Sequence, residues 1–417
     1  MPEKALKRRQ FLKGAAGAAI TASLLGKVHL GRAATAVGVF EDTSAIFAGA
    51  KKALREAADY AAKKFDVTLQ TVTSAADAKG MAGVLSLSFQ DAAVAKLASE
   101  LKDVAIIDAV GTAPYSTRLN KSAPSYFRMP AHELMALQNF YKAAAGFNVK
   151  EREFLYVSKD RPGLNDDLTL LSKVISKFDI GPNKEHFTVK LNSIPADTTA
   201  ATMPDQAAAI IAKKPNGIVM SLDPDLAAVL VKQVAAVADK DARPAVIVHE
   251  PYGLNIDYFL KNLSKEERTA QKWVFYNLQY IKPAADKEPA TFKSVNADFK
   301  AKLGRDISAL DFVAYTGVQA FAGTKKSTAA DVLSVLNKGD TVVKSGKDML
   351  IDLWGDVAFG EFDFQDVRQN VGATPFIARI NDKGEFEIAP VGVSPLSKNV
   401  FIQIGNFICN NLICGSF

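Results

Sequence analysis

Four histidines in 417 residues leave little material for metal or acid–base chemistry. His29, His132, His186 and His249 stand far apart, and no His-x-x-x-His or Cys-x-x-Cys spacing occurs, so a transition-metal site lacks its usual ligands. The chain has no Gly-x-Ser-x-Gly elbow and no Gly-x-x-x-x-Gly-Lys-Ser/Thr loop. His249-Glu250 is the one pairing with acid–base character. Its other reading is a backbone-tied His beside a Glu that binds something. The richer signal is a set of polar clusters that close apolar runs. These are Glu41-Asp42-Thr43-Ser44, Ser86-Leu87-Ser88-Phe89-Gln90-Asp91, Asp108-Ala109-Val110-Gly111-Thr112, Ser158-Lys159-Asp160, Ser221-Leu222-Asp223 and His249-Glu250-Pro251-Tyr252. Hydroxyls, amides and carboxylates gathered this way suit reversible binding of a small polar molecule. Loops are polar in general, and Asp and Ser cap helices, so no single cluster decides this. Six of them at the ends of runs argue for a cleft.

The apolar runs have the length and composition of strands in a covered parallel sheet. Ala36–Phe40, Val67–Val72, Gly83–Ser88 and Val104–Val110 come first, and the rhythm restarts with Phe154–Ser158, His186–Ile194, Gly217–Leu222 and Ala245–His249. Between them the spacing predicts helices. Ile46, Ala50, Leu54, Ala57, Ala61 and Phe65 share one face, as do Val94, Leu97 and Leu101. Further helices are expected over His132–Ala145, around Leu168, Leu171, Ile175 and Phe178, over Pro204–Ala212, and around Leu226, Leu230 and Val234. After a long strand at Trp273–Ile281 come helices through Phe292–Leu303, Leu310–Ala322 and Ala329–Leu336. Strands are then expected at Met349–Trp354, Thr374–Ile380 and Phe386–Val391. Such alternation predicts an α/β fold with doubly wound parallel sheets, and the restart predicts two similar lobes. Ligands of open parallel sheets sit outside the carboxyl ends of the strands, where the polar clusters fall. Helix N-termini there favour anions.

Composition narrows the classes. With 48% hydrophobic and 23% charged residues the chain is neither disordered nor a multi-span membrane protein. Two cysteines are too few for a disulfide scaffold. The net charge of +6 comes from the N-terminal segment, where residues 1–36 carry seven basic residues and one acid. Removing them leaves 44 of each sign, so nothing in the totals asks for a nucleic-acid partner. That segment has a basic head from Lys4 to Lys13, a 13-residue stretch from Gly14 to Gly26 and an Ala34-Thr35-Ala36 exit. It reads as a cleaved export signal, too short to span a bilayer at roughly 20 residues. Arg8-Arg9-Gln10-Phe11-Leu12-Lys13 resembles the twin-arginine signal of bacteria, although Lys7 stands where Ser or Thr is usual. The other reading is a general secretory signal. Either route implies export machinery as a partner and a soluble periplasmic protein with no lipid anchor. The tail from Asn399 is apolar and holds Cys409 and Cys414, which could pair in an oxidising compartment or have no role.

From about Ala36 to Lys383 the chain resembles the type I periplasmic solute-binding proteins of ABC importers, in particular the branched-chain amino-acid and amide receptors. The resemblance lies in Gly83–Leu101, Ile106–Thr112, Pro124-Ser125-Tyr126-Phe127-Arg128-Met129-Pro130, Phe154–Gly163, Gly217–Val237, Phe299–Phe321 and Phe362-Asp363-Phe364. It implies two doubly wound lobes joined by three crossovers. Lobe one would be residues 37–148 and 281–343, lobe two residues 149–280 and 344–395, with 396–417 a tail. It also implies a small-molecule ligand, an inner-membrane ABC permease as partner, no cofactor, no metal and no catalysis. The family's lobe-one hydroxyls hold a carboxylate, which places Ser88, Gln90 and Thr112 at the ligand. Its lobe-two acid pairs with an ammonium, which places Glu250 there and Asp160 nearby. Tyr252 and Phe89 would wall the pocket, and Asp42 and Asp223 would line its mouth. The family's Gly-Pro and paired Ser are replaced here by Ser86-Leu87 and Phe89-Gln90, and its Tyr-Gly by Pro162-Gly163. A plain branched-chain amino acid is therefore not the expected ligand. The acid-rich mouth (Glu41, Asp42, Asp91, Asp160, Glu250) suggests a solute with donor or cationic groups. Other roles stay open: a sensing subunit, a receptor tied to periplasmic alcohol or aromatic oxidation, or an enzyme using His249.

Overall fold

The structure, a computed structural model, describes residues 35–41, 48–111, 123–131, 153–160, 164–165, 169, 188–250, 261–278, 280, 282, 288–351, 354–361, 368–373, 376–380 and 386–388. The export signal, the expected helix at His132–Ala145, His132, His186, the Phe362-Asp363-Phe364 turn and the cysteine-bearing tail lie outside the described residues.

Val- and Ile-rich runs form the strands, and those at the sheet centres are buried on both faces, as parallel sheets under helices require. The first sheet is built from β1 (Thr35–Glu41), β2 (Val67–Val72), β3 (Gly83–Leu87), β4 (Ala105–Asp108) and β5 (Tyr126–Arg128). Helices α1 (Ala48–Phe65) and α2 (Asp91–Glu100) connect its strands. The second sheet repeats the plan with β6 (Glu153–Lys159), β7 (Thr188–Ile194), β8 (Gly217–Ser221), β9 (Val246–Glu250) and β10 (Trp273–Leu278). Helices α3 (Met203–Ala212), α4 (Pro224–Ala236) and the short α5 (Lys265–Arg268) accompany it. In both sheets the parallel core runs in the order second, first, third, fourth, fifth. Each therefore has a topological switch point between its first and third strands.

After β10 the chain returns to sheet one through α6 (Ala290–Leu303), α7 (Ala309–Thr324) and α8 (Ala329–Asn337). Local chemistry sets the limits of these helices. Gly304 closes α6 in the left-handed region at φ 71°, where a side chain would be strained. Ser308 and Asp311 form a capping box at the start of α7, and Thr328 caps α8 through the Asp331 N–H. Arg305 then ties the α6–α7 turn to α1, reaching Glu56 at 3.1 Å and the buried Asp311. The rings of Tyr60 and Phe65 on α1 meet Phe299 (5.1 Å) and Tyr315 (5.2 Å from Phe65), and this layer covers one face of sheet one.

Two expectations are corrected. Of the strand expected at Met349–Trp354, the described residues Met349, Leu350, Ile351 and Trp354 lie in no strand. Met349, Leu350, Ile351 and Trp354 are all buried as an irregular apolar plug, with Trp354 edge-on to Phe312 at 4.9 Å. A short apolar run does not distinguish a strand from such a plug. The chain also does not return to lobe two at residue 344. β11 (Phe359–Glu361) and β12 (Arg368–Asn370) extend sheet one, with Gln369 in register with Arg128. Packing and hydrogen bonds hold them there: Phe359 meets Phe127 at 5.3 Å, Gln369 donates to the Pro130 carbonyl (2.8 Å) and Asn370 to that of Met129 (3.2 Å). Only then does the chain enter sheet two as the antiparallel strands β13 (Phe376–Ile380) and β14 (Phe386–Ile388). It has by then passed between the sheets three times. Among the described residues no helix is long and apolar enough to cross a membrane.

Candidate functional site

The strand registers line up the polar residues at the carboxyl ends. In sheet one a single rung crosses five strands: Phe40 on β1, Ser86 on β3, Asp108 on β4, Arg128 on β5 and Gln369 on β12. Ser86, Asp108, Arg128 and Gln369 are all buried. Sheet two carries the corresponding rung, with Ser193 on β7, Ser158 on β6, Ser221 on β8 and Glu250 on β9. Ser221 and Glu250 pair at the ends of the third and fourth strands of sheet two, and Ser86 and Asp108 pair near the ends of those of sheet one.

Asp108 is held by its own loop. Its Oδ1 accepts the N–H groups of Val110 (3.2 Å) and Gly111 (3.0 Å), and its Oδ2 accepts the Tyr126 hydroxyl at 2.6 Å. Burial pushes this carboxyl up, against the pull of Tyr126, the two amides and the Arg128 charge. Gly111 is required there, because a Cβ on it would fall 2.1 Å from Oδ2. The Ser86 hydroxyl, next to Asp108 on the rung, has no hydrogen-bond partner.

Ser88 and Gln90 lie together in the turn after β3. Ser88 is buried after β3, and its Oγ accepts the N–H of Gln90, the N-cap of α2, at 3.1 Å. Glu41, ending β1, faces Arg55 of α1 at 3.6 Å. In sheet two, Asp223 is the N-cap of α4 and pairs with Lys159 Nζ at the end of β6, 3.1 Å away. Asp160 is exposed, and its N–H donates to Ile194. Glu250 ends β9 beside His249. Asp42, Thr112 and Tyr252 lie outside the described residues. The sequence reading put Ser86, Asp108 and Lys159 in its run-end clusters but named none of them a ligand residue, and it did not place Arg128 beside Asp108. The spacing of Asp108 and Gly111 at the end of an apolar run was the available signal for Asp108. No cluster of three or more His, Cys, Asp or Glu side chains able to hold a metal occurs among the described residues.

No family model matches the sequence, and no curated protein matches it. Solved structures do match. An extracellular ligand-binding receptor from Verminephrobacter eiseniae superposes with a TM-score of 0.61 over 85% of this chain and 100% of its own, at 12% identity. The branched-chain amino acid transporter substrate binding protein LivJ of Streptococcus pneumoniae, in complex with isoleucine, gives 0.57 over 84% and 97%, at 14% identity. An ABC-transporter solute binding protein of R. palustris, in complex with benzoate, gives 0.59 over 85% and 95%, at 12% identity. The chain has the type I periplasmic binding protein fold. Within that two-lobed fold, sheet one and sheet two are the two lobes, and the polar rungs stand at the carboxyl ends of their strands. At these identities the likeness carries the architecture and leaves the ligand to the site itself.

Proposed function

We propose that this protein is an exported solute-binding receptor that captures a small polar molecule between its lobes and delivers it to an inner-membrane ABC permease, catalysing nothing itself. One observation carries the reading: both sheets pair a hydroxyl residue with a carboxyl residue near the carboxyl ends of their third and fourth strands, Ser86 with Asp108 and Ser221 with Glu250. Open α/β sheets bind ligands at that place, and two such ends in one chain suit capture from both sides. Closure would then be a hinge motion at the three crossovers, with the solute shifting the equilibrium by binding the closed state better. The N-terminal signal, of twin-arginine or general secretory type, puts this work in the periplasm. Ser88 and Gln90 contribute from lobe one together with Thr112 and Asp42, and Asp160, Asp223, Glu250 and Tyr252 contribute from lobe two. The Lys159–Asp223 pair gives lobe two an adjustable charge at the rim. The ligands bound in the structural relatives, isoleucine and benzoate, support a small organic solute as the class.

A thermal-shift screen of the mature protein tests this. Its panel covers amino acids, amides, aromatic acids, alcohols and polyamines. A true ligand at 100 times its dissociation constant adds about 2.7 kcal/mol, a shift readily seen. No stabilisation by any class, together with turnover lost on His249→Ala, would replace the receptor by an enzyme.

A further inference from the structure

The end of a parallel strand is where a sheet presents backbone N–H groups to an anion. At the end of β4 those groups are taken. The Val110 and Gly111 amides both point at Asp108 Oδ1, and the loop closes over the carboxyl only because Gly111 has no Cβ to strike Oδ2. The turn after β3 follows the same scheme. There the Gln90 N–H is donated to Ser88 Oγ. The two cations near these ends face the chain's own acids. Arg128 stands next to Asp108 on the rung, and Arg55 meets Glu41 at 3.6 Å and Asp59 at 3.0 Å. The carboxyls of Asp108, Glu41 and Asp59 thus supply from within the oxygens that a bound carboxylate would have brought.

Resting on the receptor reading above, we propose that Asp108 is a specificity residue: by filling the amides at the end of β4 it makes the lobe-one wall accept a neutral or cationic end of the solute and reject a carboxylate. A carboxylate entering at β4 would have to displace the Asp108 carboxyl from two amide hydrogen bonds while lying beside it. Each lost hydrogen bond is worth roughly tenfold in affinity. An amide, hydroxyl or ammonium group meets no such competition, and the Ser86 hydroxyl on the same rung remains to be matched.

The test is calorimetric, with matched probes: L-leucine against L-leucinamide, and benzoate against benzamide and benzylamine, followed by the same panel on Asp108→Ser. The neutral or cationic member of a pair should bind at least about tenfold more tightly than the acid, and Asp108→Ser should narrow that ratio by about tenfold as the amides come free. Acids that bind as well as or better than their partners would overturn the proposal and leave the receptor intact. An unchanged ratio in a folded Asp108→Ser protein, verified by its circular dichroism, would overturn the role of Asp108. If that variant does not fold, the wild-type ratios decide alone. Failure of every probe and of a wide metabolite library would remove the receptor reading, and the proposal with it.

Discussion

Removing one oxygen atom from the sheet-one rung should have a large, specific effect on stability. Tyr126→Phe deletes the hydroxyl that donates to Asp108 Oδ2 at 2.6 Å. Both residues are buried, so no water takes its place and no cavity larger than the lost oxygen opens. The Asp108 carboxyl keeps its two amide donors but loses its third partner. A hydrogen bond to a charged group contributes about 1.5–3 kcal/mol, and leaving its acceptor buried places the expected loss in the upper part of that range. For a lobe of this size a urea m-value of about 2–3 kcal/mol per molar is expected, so the midpoint of the lobe-one transition should fall by roughly 1 M with the slope unchanged. Circular dichroism during urea unfolding reads this directly. The double variant Tyr126→Phe with Asp108→Ala should lose less than the sum of the two single losses, because each substitution removes this bond. A midpoint unmoved within about 0.2 M, or strictly additive losses, would refute the view that this hydrogen bond holds the strand end together.

Other perturbations separate the remaining parts of the account. Gly111→Ala puts a Cβ 2.1 Å from Asp108 Oδ2 and should destabilise by about 2 kcal/mol or more, measured by the same unfolding curve, since the loop can no longer close over the carboxyl. Trp354→Ala empties the site against Phe312 and should lower stability by about 3–5 kcal/mol within the lobe-one transition, as expected if this segment belongs to lobe one. Lys282, Asn296 and Lys300 hold the Asp306 carboxyl down to about 2, and the Lys282 contact, 3.0 Å long, ties the second crossover to the α6–α7 turn. Its folded-state pKa lies below the unfolded value. The stabilisation is therefore present above pH ~4 and disappears as pH falls through about 2. Asp306 is only partly buried and solvent screens its contacts, so Asp306→Asn should flatten this acid limb by no more than about 1 kcal/mol in melts taken across that range.

Much of this fold was legible because parallel strands and their covering helices obey simple periodicities. The run Gly83–Ser88 and the run Gly217–Leu222 each became a buried central strand, and Phe292, Val295 and Phe299 became the buried stripe of a helix ending at Gly304. What failed was local pattern without local cause. Met349–Trp354 has strand composition, yet the side chains of Met349, Leu350, Ile351 and Trp354 are buried outside any strand, a fate decided by residues such as Phe312 that lie far away in sequence. β11 and β12 join sheet one through Gln369 and Asn370, whose partners Pro130 and Met129 are some 240 residues earlier. At the site, the positions at strand ends could be read, and Ser88 with Gln90 came together as their spacing required. Pairings could not. Asp223 looked like a ligand residue, and its contact with Lys159, 64 residues away, appears only in three dimensions. Asp108 looked like one acid among several until its loop was seen to fold onto it.

The central claim is that two lobes close on a small solute. Small-angle scattering of the mature protein, with and without the compound that stabilises it most, examines that motion. Capture predicts a fall in the radius of gyration that saturates at one solute per chain. An unchanged scattering profile at full occupancy, or chemical conversion of the compound during the titration, would contradict it.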